Sequence, residues 1–398
     1  MKKLLFVTSA LGYGVGGSEK ALIEMLQRLD TTKYDITVLS LNEKTEKPFE
    51  SENINVQYGY PSYLYACTPM REIIRKPFYY PPTFAALKLK VALFSRFSKT
   101  QDSSGVYWDW YNQYVAPVDE EYDVVIGYGP GTATYFAVDK VKAKRTVLWV
   151  DTDLRGAHFN TDYMRRFYEK ADCVVTVDQS GVRRFADIYP TFAGKALTIR
   201  NIIPVEEIRH KATQDTGFDD DYSGIRLLSV GRLCEAKAFH LAVDAAAILR
   251  DQGYKFRWYI IGFGPLEAPL REQIMRLHLE DQFFLLGQKL NPYPYYAQTD
   301  LYVQTSVYEG SPLTIEEALA LGKPIITTNI PAAYEIIKNG ENGIITEMTP
   351  EAIAGGIAPM LRNEQMRKDM SDYIRSNPLD YMRPILAFDE MIEKLQLE

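Results

Sequence analysis

The sequence predicts an α/β protein of two doubly wound domains, each with a mostly parallel sheet, and three observations predict it. Short apolar runs recur between segments whose apolar residues return at helical spacing, as expected of strands covered by helices. The pattern occurs twice, interrupted near 200–220 by the polar, glycine-containing stretch DTGFDDDYSG (215–224). A chain of 398 residues also exceeds one ordinary core, and two domains of roughly 150–200 residues are its natural division.

The first set opens with strand KLLFVTS (3–9) and helix GSEKALIEMLQRL (17–29), followed by YDITVLS (34–40), YDVVIGY (122–128), RTVLWVD (145–151) and DCVVTVD (172–178). The second runs IRLLSVG (225–231), helix AFHLAVDAAAILRDQG (238–253), FRWYIIGFG (256–264), helix 265–278 and FFLLG (283–287). TDLYVQTS (299–306), helix 312–321 and PIITT (324–328) complete it. The predicted domains are 1–203 and 204–380, with a ligand expected in the cleft between them.

Hydrophobic residues make up 46% and charged residues 24%, enough apolar material for both cores. A net charge of −7 argues against a nucleic-acid partner, and no nucleic-acid motif is present. The three cysteines, Cys67, Cys173 and Cys234, are widely spaced and odd in number, which suits a reducing compartment. The opening MKKLLFVTSALGYGVGG imitates a signal peptide, but its apolar run is short and leads into a glycine loop, so it reads as a first strand. No apolar run approaches the ~18 residues of a membrane span, so the expected location is the cytoplasm, extending to the inner face of a membrane.

The region 58–118 fits neither repeat. Between Met70 and Thr100 it carries seven lysines or arginines against one glutamate, interleaved with Phe78, Tyr79, Tyr80, Phe84, Phe94 and Phe97. One reading is a helical insertion that packs its aromatics on the core. The other is a basic, aromatic-rimmed surface for peripheral contact with an anionic membrane or acceptor.

Four stretches carry candidate chemistry. SALGYGVGGSEKA (9–21) is a glycine turn between strand and helix that matches neither the dinucleotide fingerprint nor a P-loop. Gly16 and Gly17 permit close backbone approach, and Ser18 is expected to cap the helix. SVGRLCEAKAF (229–239) places Arg232 and Lys237 at a strand's carboxyl end, near a helix start where cations are unwelcome unless an anion comes between them. A diphosphate would be such an anion. IIGFGPLEAPL (260–270) adds a second glycine turn, with Gly264, at the next strand end. In YEGSPLTIEEALALGKPIITTN (308–329), Glu309 lies in a loop at a strand's carboxyl end. Glu316 and Glu317 fall in the first helical turns about 100° apart, so one of them, Glu317, is expected at the site and Glu316 in solvent.

Together GVGGSEKA, SVGRLCEAKAF, IIGFGP and YEGSPLTIEEALALGKPIITTN resemble the GT-B retaining glycosyltransferases of family 4 (glycosyl transferases group 1), over nearly the whole chain and most strongly at 226–343. The resemblance implies two Rossmann-like domains with parallel sheets facing a central cleft, and a final helix, about 381–396, crossing back onto the N-terminal domain. It implies an N-terminal acceptor-binding domain and a C-terminal nucleotide-sugar-binding domain. Glu309, Arg232 and Lys237 would be the catalytic set, with Glu309 at the donor sugar and the two cations on the diphosphate. Gly16, Gly17, Gly264, Leu286, Gly287, Gly310, Ser311, Pro312, Leu313 and Glu317 would bind the donor, Glu317 at the ribose. No bound metal is implied; a nucleoside-diphosphate sugar, UDP-linked in first place, is the co-substrate.

One departure stands out. Many members carry His-x-Asp near the end of an N-domain strand, whereas LWVDTDLRG (148–156) has Asp151 in the histidine's place and Asp153 matching the aspartate. Either both cap the following segment, or Asp151, with Asp153 and nearby His158, recognises sugar or acceptor. The implied reaction is retaining transfer of a hexosyl or N-acetylhexosaminyl group to a saccharide acceptor, lipid-linked in one version, for a bacterial surface polysaccharide or glycoconjugate. A nucleotide-sugar epimerase of the same plan and a non-catalytic sugar-nucleotide-binding subunit are the rivals.

Overall fold

A computed structural model describes residues 1–12, 17–68, 70–75, 86, 88–89, 93, 104–309, 311–380 and 382–397. The chain forms two compact units, Met1–Asn201 with Pro384–Glu398, and Ile202–Arg383.

The first unit contains β1 (Lys2–Thr8), β2 (Tyr34–Ser40), β3 (Asn55–Tyr58), β4 (Glu121–Tyr128), β5 (Lys142–Val150), β6 (Cys173–Thr176) and β7 (Ala196–Thr198). Its sheet has the order β3-β2-β1-β4-β5-β6-β7, with parallel pairing throughout. Leu4, Phe6, Val124, Ile126, Val147 and Leu148 are each fully buried, as a sheet covered on both faces requires. Helix Ser104–Tyr111 joins this core through Trp108, whose Nε1 donates to Asp139 at 2.9 Å. Helix Arg383–Leu397 docks here too. Phe388 stacks on Phe6 with ring centroids 6.1 Å apart, and Tyr34 donates to Asp389 at 2.8 Å.

The second unit contains β8 (Arg226–Val230), β9 (Arg257–Ile261), β10 (Phe283–Leu285), β11 (Leu301–Gln304), β12 (Ile325–Thr328) and β13 (Gly343–Thr346). Its order, β10-β9-β8-β11-β12-β13, is again parallel. In both sheets the chain steps outward from a central strand in one direction and then returns to build the other. The crevice at that reversal, outside the strands' carboxyl ends, is where such sheets hold ligands. In the second unit it lies between β8 and β11. Helix Phe239–Asp251 covers one face with Ala242, Val243, Ala246 and Leu249, all fully buried. At the other end of the sheet, Asp220 of the preceding strap accepts hydrogen bonds from Arg226, Arg257 and Tyr259.

The structure departs from the sequence reading at strands and at a helix start. β3, β7 and β13 were not anticipated, and all three are edge strands. The helix expected from residue 265 begins at Glu267. The segment 70–100, read as a membrane or acceptor surface, lies largely outside the described residues.

Candidate active site

The site in the second unit is built on the turns that follow β8 and β11. Lys237 closes a short turn (Glu235–Lys237) ahead of helix Phe239–Asp251, with Ala238 between them in the left-handed region at φ +45°. Two bonds stitch that turn to the loop after β11: Thr305 Oγ1 donates to the Lys237 carbonyl at 2.9 Å, and the Val307 amide to the Ala236 carbonyl at 2.8 Å. Gly231 leaves the space that the Lys237 side chain crosses, since a Cβ there would lie 2.9 Å from Lys237 Cε.

Lys237 Nζ then reaches Glu309 Oε1 at 2.5 Å, with both side chains about five-sixths buried (16% and 15% exposed). Sequence reasoning expected an anion at this helix start; for Lys237 the chain supplies one itself, Glu309. Ser306 Oγ donates to the same oxygen at 2.7 Å and Gln304 Nε2 at 3.4 Å. Arg232 is exposed and makes no side-chain hydrogen bond or ion pair among the described residues. The site thus presents a carboxylate, an ammonium and, among the described residues, a guanidinium without a side-chain partner at the carboxyl ends of adjacent strands, charges suited to an anionic leaving group beside hydroxyl-bearing substrate.

Glu317 lies in helix Leu313–Ala320, is 6% exposed, and accepts from Tyr293 at 3.1 Å and Tyr296 at 3.3 Å. Glu316, expected in solvent, is also 6% exposed, because the helix is covered on more than the Ile315–Ala318 face. Pro312 stands at the helix N-cap, Leu313 is partly buried beneath it, and the Leu313 amide donates to Ser311 at 2.9 Å. Gly264 lies against the Leu233 backbone, where a Cβ would fall 2.4 Å from the carbonyl oxygen, so the turns after β8 and β9 touch. Leu286 and Gly287 adjoin the latter turn through Leu286 N–Ile260 O (2.9 Å) and Gly262 N–Gly287 O (3.0 Å). Gly310 lies outside the described residues.

The first unit gathers a separate cluster at the carboxyl ends of β4 and β5. Asp151 accepts a hydrogen bond from Ser18, in the first turn of helix Gly17–Leu26. Ser18 thus turns to Asp151, although it was expected to cap its own helix. The Asp151 carboxyl is enclosed, and burial raises its pKa against the opposing pull of that hydrogen bond. Tyr128, 3% exposed and stacked on Trp149 at 5.2 Å, senses the charges of Asp151 and Glu19. Its hydroxyl has no hydrogen-bond partner among the described residues.

Asp153 is held by two backbone amides and an arginine. It accepts from the Arg155 and Gly156 amides, each at 3.0 Å, and lies 3.7 Å from Arg184. His158 is exposed with φ +58°, and no hydrogen bond joins its ring to either aspartate among the described residues. Gly17 begins its helix and Gly16 lies outside the described residues. No group of three His, Cys, Asp or Glu side chains placed to hold a metal occurs among the described residues.

Fold and sequence similarity define a class: this is a glycosyltransferase of the GT-B fold. The family described as Glycosyl transferases group 1 matches residues 214–377, which include Arg232, Lys237, Glu309 and Glu317. Over 98% of this chain and 99% of the relative, the sequence is 25% identical to N-acetylgalactosamine-N,N'-diacetylbacillosaminyl-diphospho-undecaprenol 4-alpha-N-acetylgalactosaminyltransferase of Campylobacter jejuni. The amylovoran biosynthesis glycosyltransferase AmsK of Erwinia amylovora is 34% identical over 34% of this chain and 35% of its own. In fold, the chain is similar to Anabaena HepE in complex with UDP and glucose (TM-score 0.67, 18% identity, 99% of this chain and 100% of that one). It is likewise similar to sucrose-phosphate synthase of Thermosynechococcus elongatus (TM-score 0.69, 14% identity, all of both chains).

Sequence reasoning missed Gln304, Ser306, Tyr293, Tyr296 and Tyr128. The only signal in the sequence for Gln304 is a polar residue inside an apolar strand.

Proposed function

We propose that the chain is a retaining glycosyltransferase of family 4 that moves a hexosyl or N-acetylhexosaminyl group from a UDP-sugar to a saccharide hydroxyl, the acceptor being carried on a lipid at the inner face of a bacterial membrane. The observation that carries this reading is the buried Lys237–Glu309 pair beside exposed Arg232 at the β8/β11 reversal. The names of relatives fit it: the Campylobacter enzyme is named for transfer to a diphospho-undecaprenol-linked sugar, and HepE is described with UDP-glucose. The lipid acceptor also suits the basic, aromatic composition of 70–100.

In this reading the bond between the anomeric carbon and the β-phosphate oxygen breaks, and the acceptor oxygen bonds to that carbon on the same face. The acceptor proton passes to the departing phosphate oxygen. Arg232 and Lys237 stabilise the negative charge that develops there. Glu309 accepts a hydrogen bond from a donor-sugar hydroxyl, Glu317 from the ribose, and Asp151 with Tyr128 meets sugar or acceptor hydroxyls.

The test offers purified protein UDP-glucose, UDP-galactose, UDP-GlcNAc and UDP-GalNAc, and measures binding, UDP release and transfer to a lipid-linked saccharide. Wild type should release UDP slowly without acceptor and faster with it, whereas E309A should bind UDP yet release none from the donor. Interconversion of the sugars without UDP release would establish the epimerase instead. UDP binding with no turnover under any condition would establish the non-catalytic subunit.

A further inference from the structure

Three donors converge on Glu309, and all three use Oε1: Lys237 Nζ at 2.5 Å, Ser306 Oγ at 2.7 Å and Gln304 Nε2 at 3.4 Å. Oε2 accepts no hydrogen bond among the described residues. The carboxylate is therefore gripped on one side, and its second oxygen keeps its acceptor capacity.

Gln304 is the unexpected member. It ends β11, is 3% exposed, and places a carboxamide where an apolar residue would avoid a desolvation cost. Its own orientation is fixed from behind. Thr314 Oγ1 donates to Gln304 Oε1 at 2.8 Å and the Tyr302 hydroxyl donates to the same oxygen at 3.3 Å. With the carbonyl end occupied by two donors, the amide's NH2 end is the one that faces Glu309. The chain Thr314–Gln304–Glu309 thus links the first turn of helix Leu313–Ala320, the end of β11 and the loop carrying Glu309.

We infer that Gln304 is a positioning residue: it fixes the Glu309 carboxylate by one oxygen so that the other is presented to the donor sugar. This rests on the reading of Glu309 given under Proposed function. A purely structural Gln304 would tie β11 to the following helix and leave turnover untouched once the fold is intact.

The test compares wild type, Gln304→Leu and Gln304→Glu by UDP release from the best UDP-sugar across pH 5.5 to 8, with UDP affinity and melting temperature as controls. Gln304→Leu should lower kcat about tenfold or more with KM within about threefold, as expected when a reacting constellation loses its orientation. Gln304→Glu sets a second carboxylate against Glu309. Like charges at this distance disfavour double ionisation, so its deficit should be deepest near pH 8. It should shrink toward pH 5.5, where the introduced carboxyl is protonated and again donates.

Gln304→Leu within about twofold of wild-type kcat overturns the inference. So does a Gln304→Glu deficit that is equal at every pH. Should Gln304→Leu fail to fold, the pH profile of Gln304→Glu decides alone. Should wild type turn over no UDP-sugar, the functional reading falls and this inference falls with it. An active wild type with E309A inactive and Gln304→Leu normal removes this inference only.

Discussion

The strap that precedes β8 offers a pH test whose size can be worked out from the structure. Burial raises the Asp220 pKa, but hydrogen bonds from Tyr259, Arg226 and Arg257 outweigh it and hold the carboxyl down at about 2, from an ordinary 3.8. At about 1.4 kcal/mol per pKa unit, that shift corresponds to roughly 2 kcal/mol of stability. The side chain is 25% exposed, so solvent screening trims the expectation to about 1–2 kcal/mol. The sign follows from the folded pKa lying below the unfolded one. The stabilisation is complete above about pH 4 and is lost as pH falls through 2, with about half remaining near pH 3.

Urea unfolding of wild type and Asp220→Asn at pH 7, 4 and 3 measures this contribution. The gap should be about 1–2 kcal/mol at pH 7, nearly unchanged at pH 4, and clearly smaller at pH 3. A gap that stays constant or widens between pH 4 and pH 3 refutes the reasoning. Arg226 and Arg257 are the first residues of β8 and β9, at the opposite ends of those strands from the candidate site. UDP affinity at pH 7 should therefore be the same in both proteins.

Arg232→Ala removes an exposed cation that has no side-chain partner among the described residues, so its melting temperature should stay within about 1 °C of wild type. Its kcat/KM for the UDP-sugar should fall by about 3 kcal/mol, roughly a hundredfold; a loss under threefold contradicts its place on the diphosphate. Asp151→Asn should behave oppositely. Because burial raises the Asp151 pKa, the folded state gains stability as pH falls through that value, and the neutral amide should raise the melting temperature at pH 8 by more than at pH 5. The same change should slow transfer, and a variant equally stable at both pH values with full activity would contradict both statements.

The parts of the fold legible in the sequence are those where burial leaves a mark on composition. Central strands such as VVIGY in β4 and IRLLSV at β8 are apolar runs because both of their faces are covered. Edge strands escape that demand. β3 reads NVQY, with no residue fully buried, and β7 is the three-residue ALT. Lys237 and Glu309 were legible for a different reason: a charged residue at a strand's carboxyl end is placed by topology, which the alternation of elements already gives. Their pairing was not legible, since it depends on the turn after β8 being stitched to the loop after β11 across 72 residues of sequence.

The three glutamates of one short segment show where a sequence-level rule stops. Helical offset separates Glu316 from Glu317, yet both are buried, so offset alone does not assign solvent to either. What distinguishes the carboxylates is who donates to them. Glu317 is held by Tyr293 and Tyr296, from the helix before β11; Glu309 is held by Lys237, Ser306 and Gln304, from the ends of β8 and β11. A carboxylate held through one oxygen by an ammonium can still accept a hydroxyl, and when an anion arrives the same ammonium has two partners to share. All three side chains that grip Glu309 belong to the second unit, Ile202–Arg383. The charge arrangement at this site is therefore a property of that unit's own fold, in place before any residue of the first unit is considered.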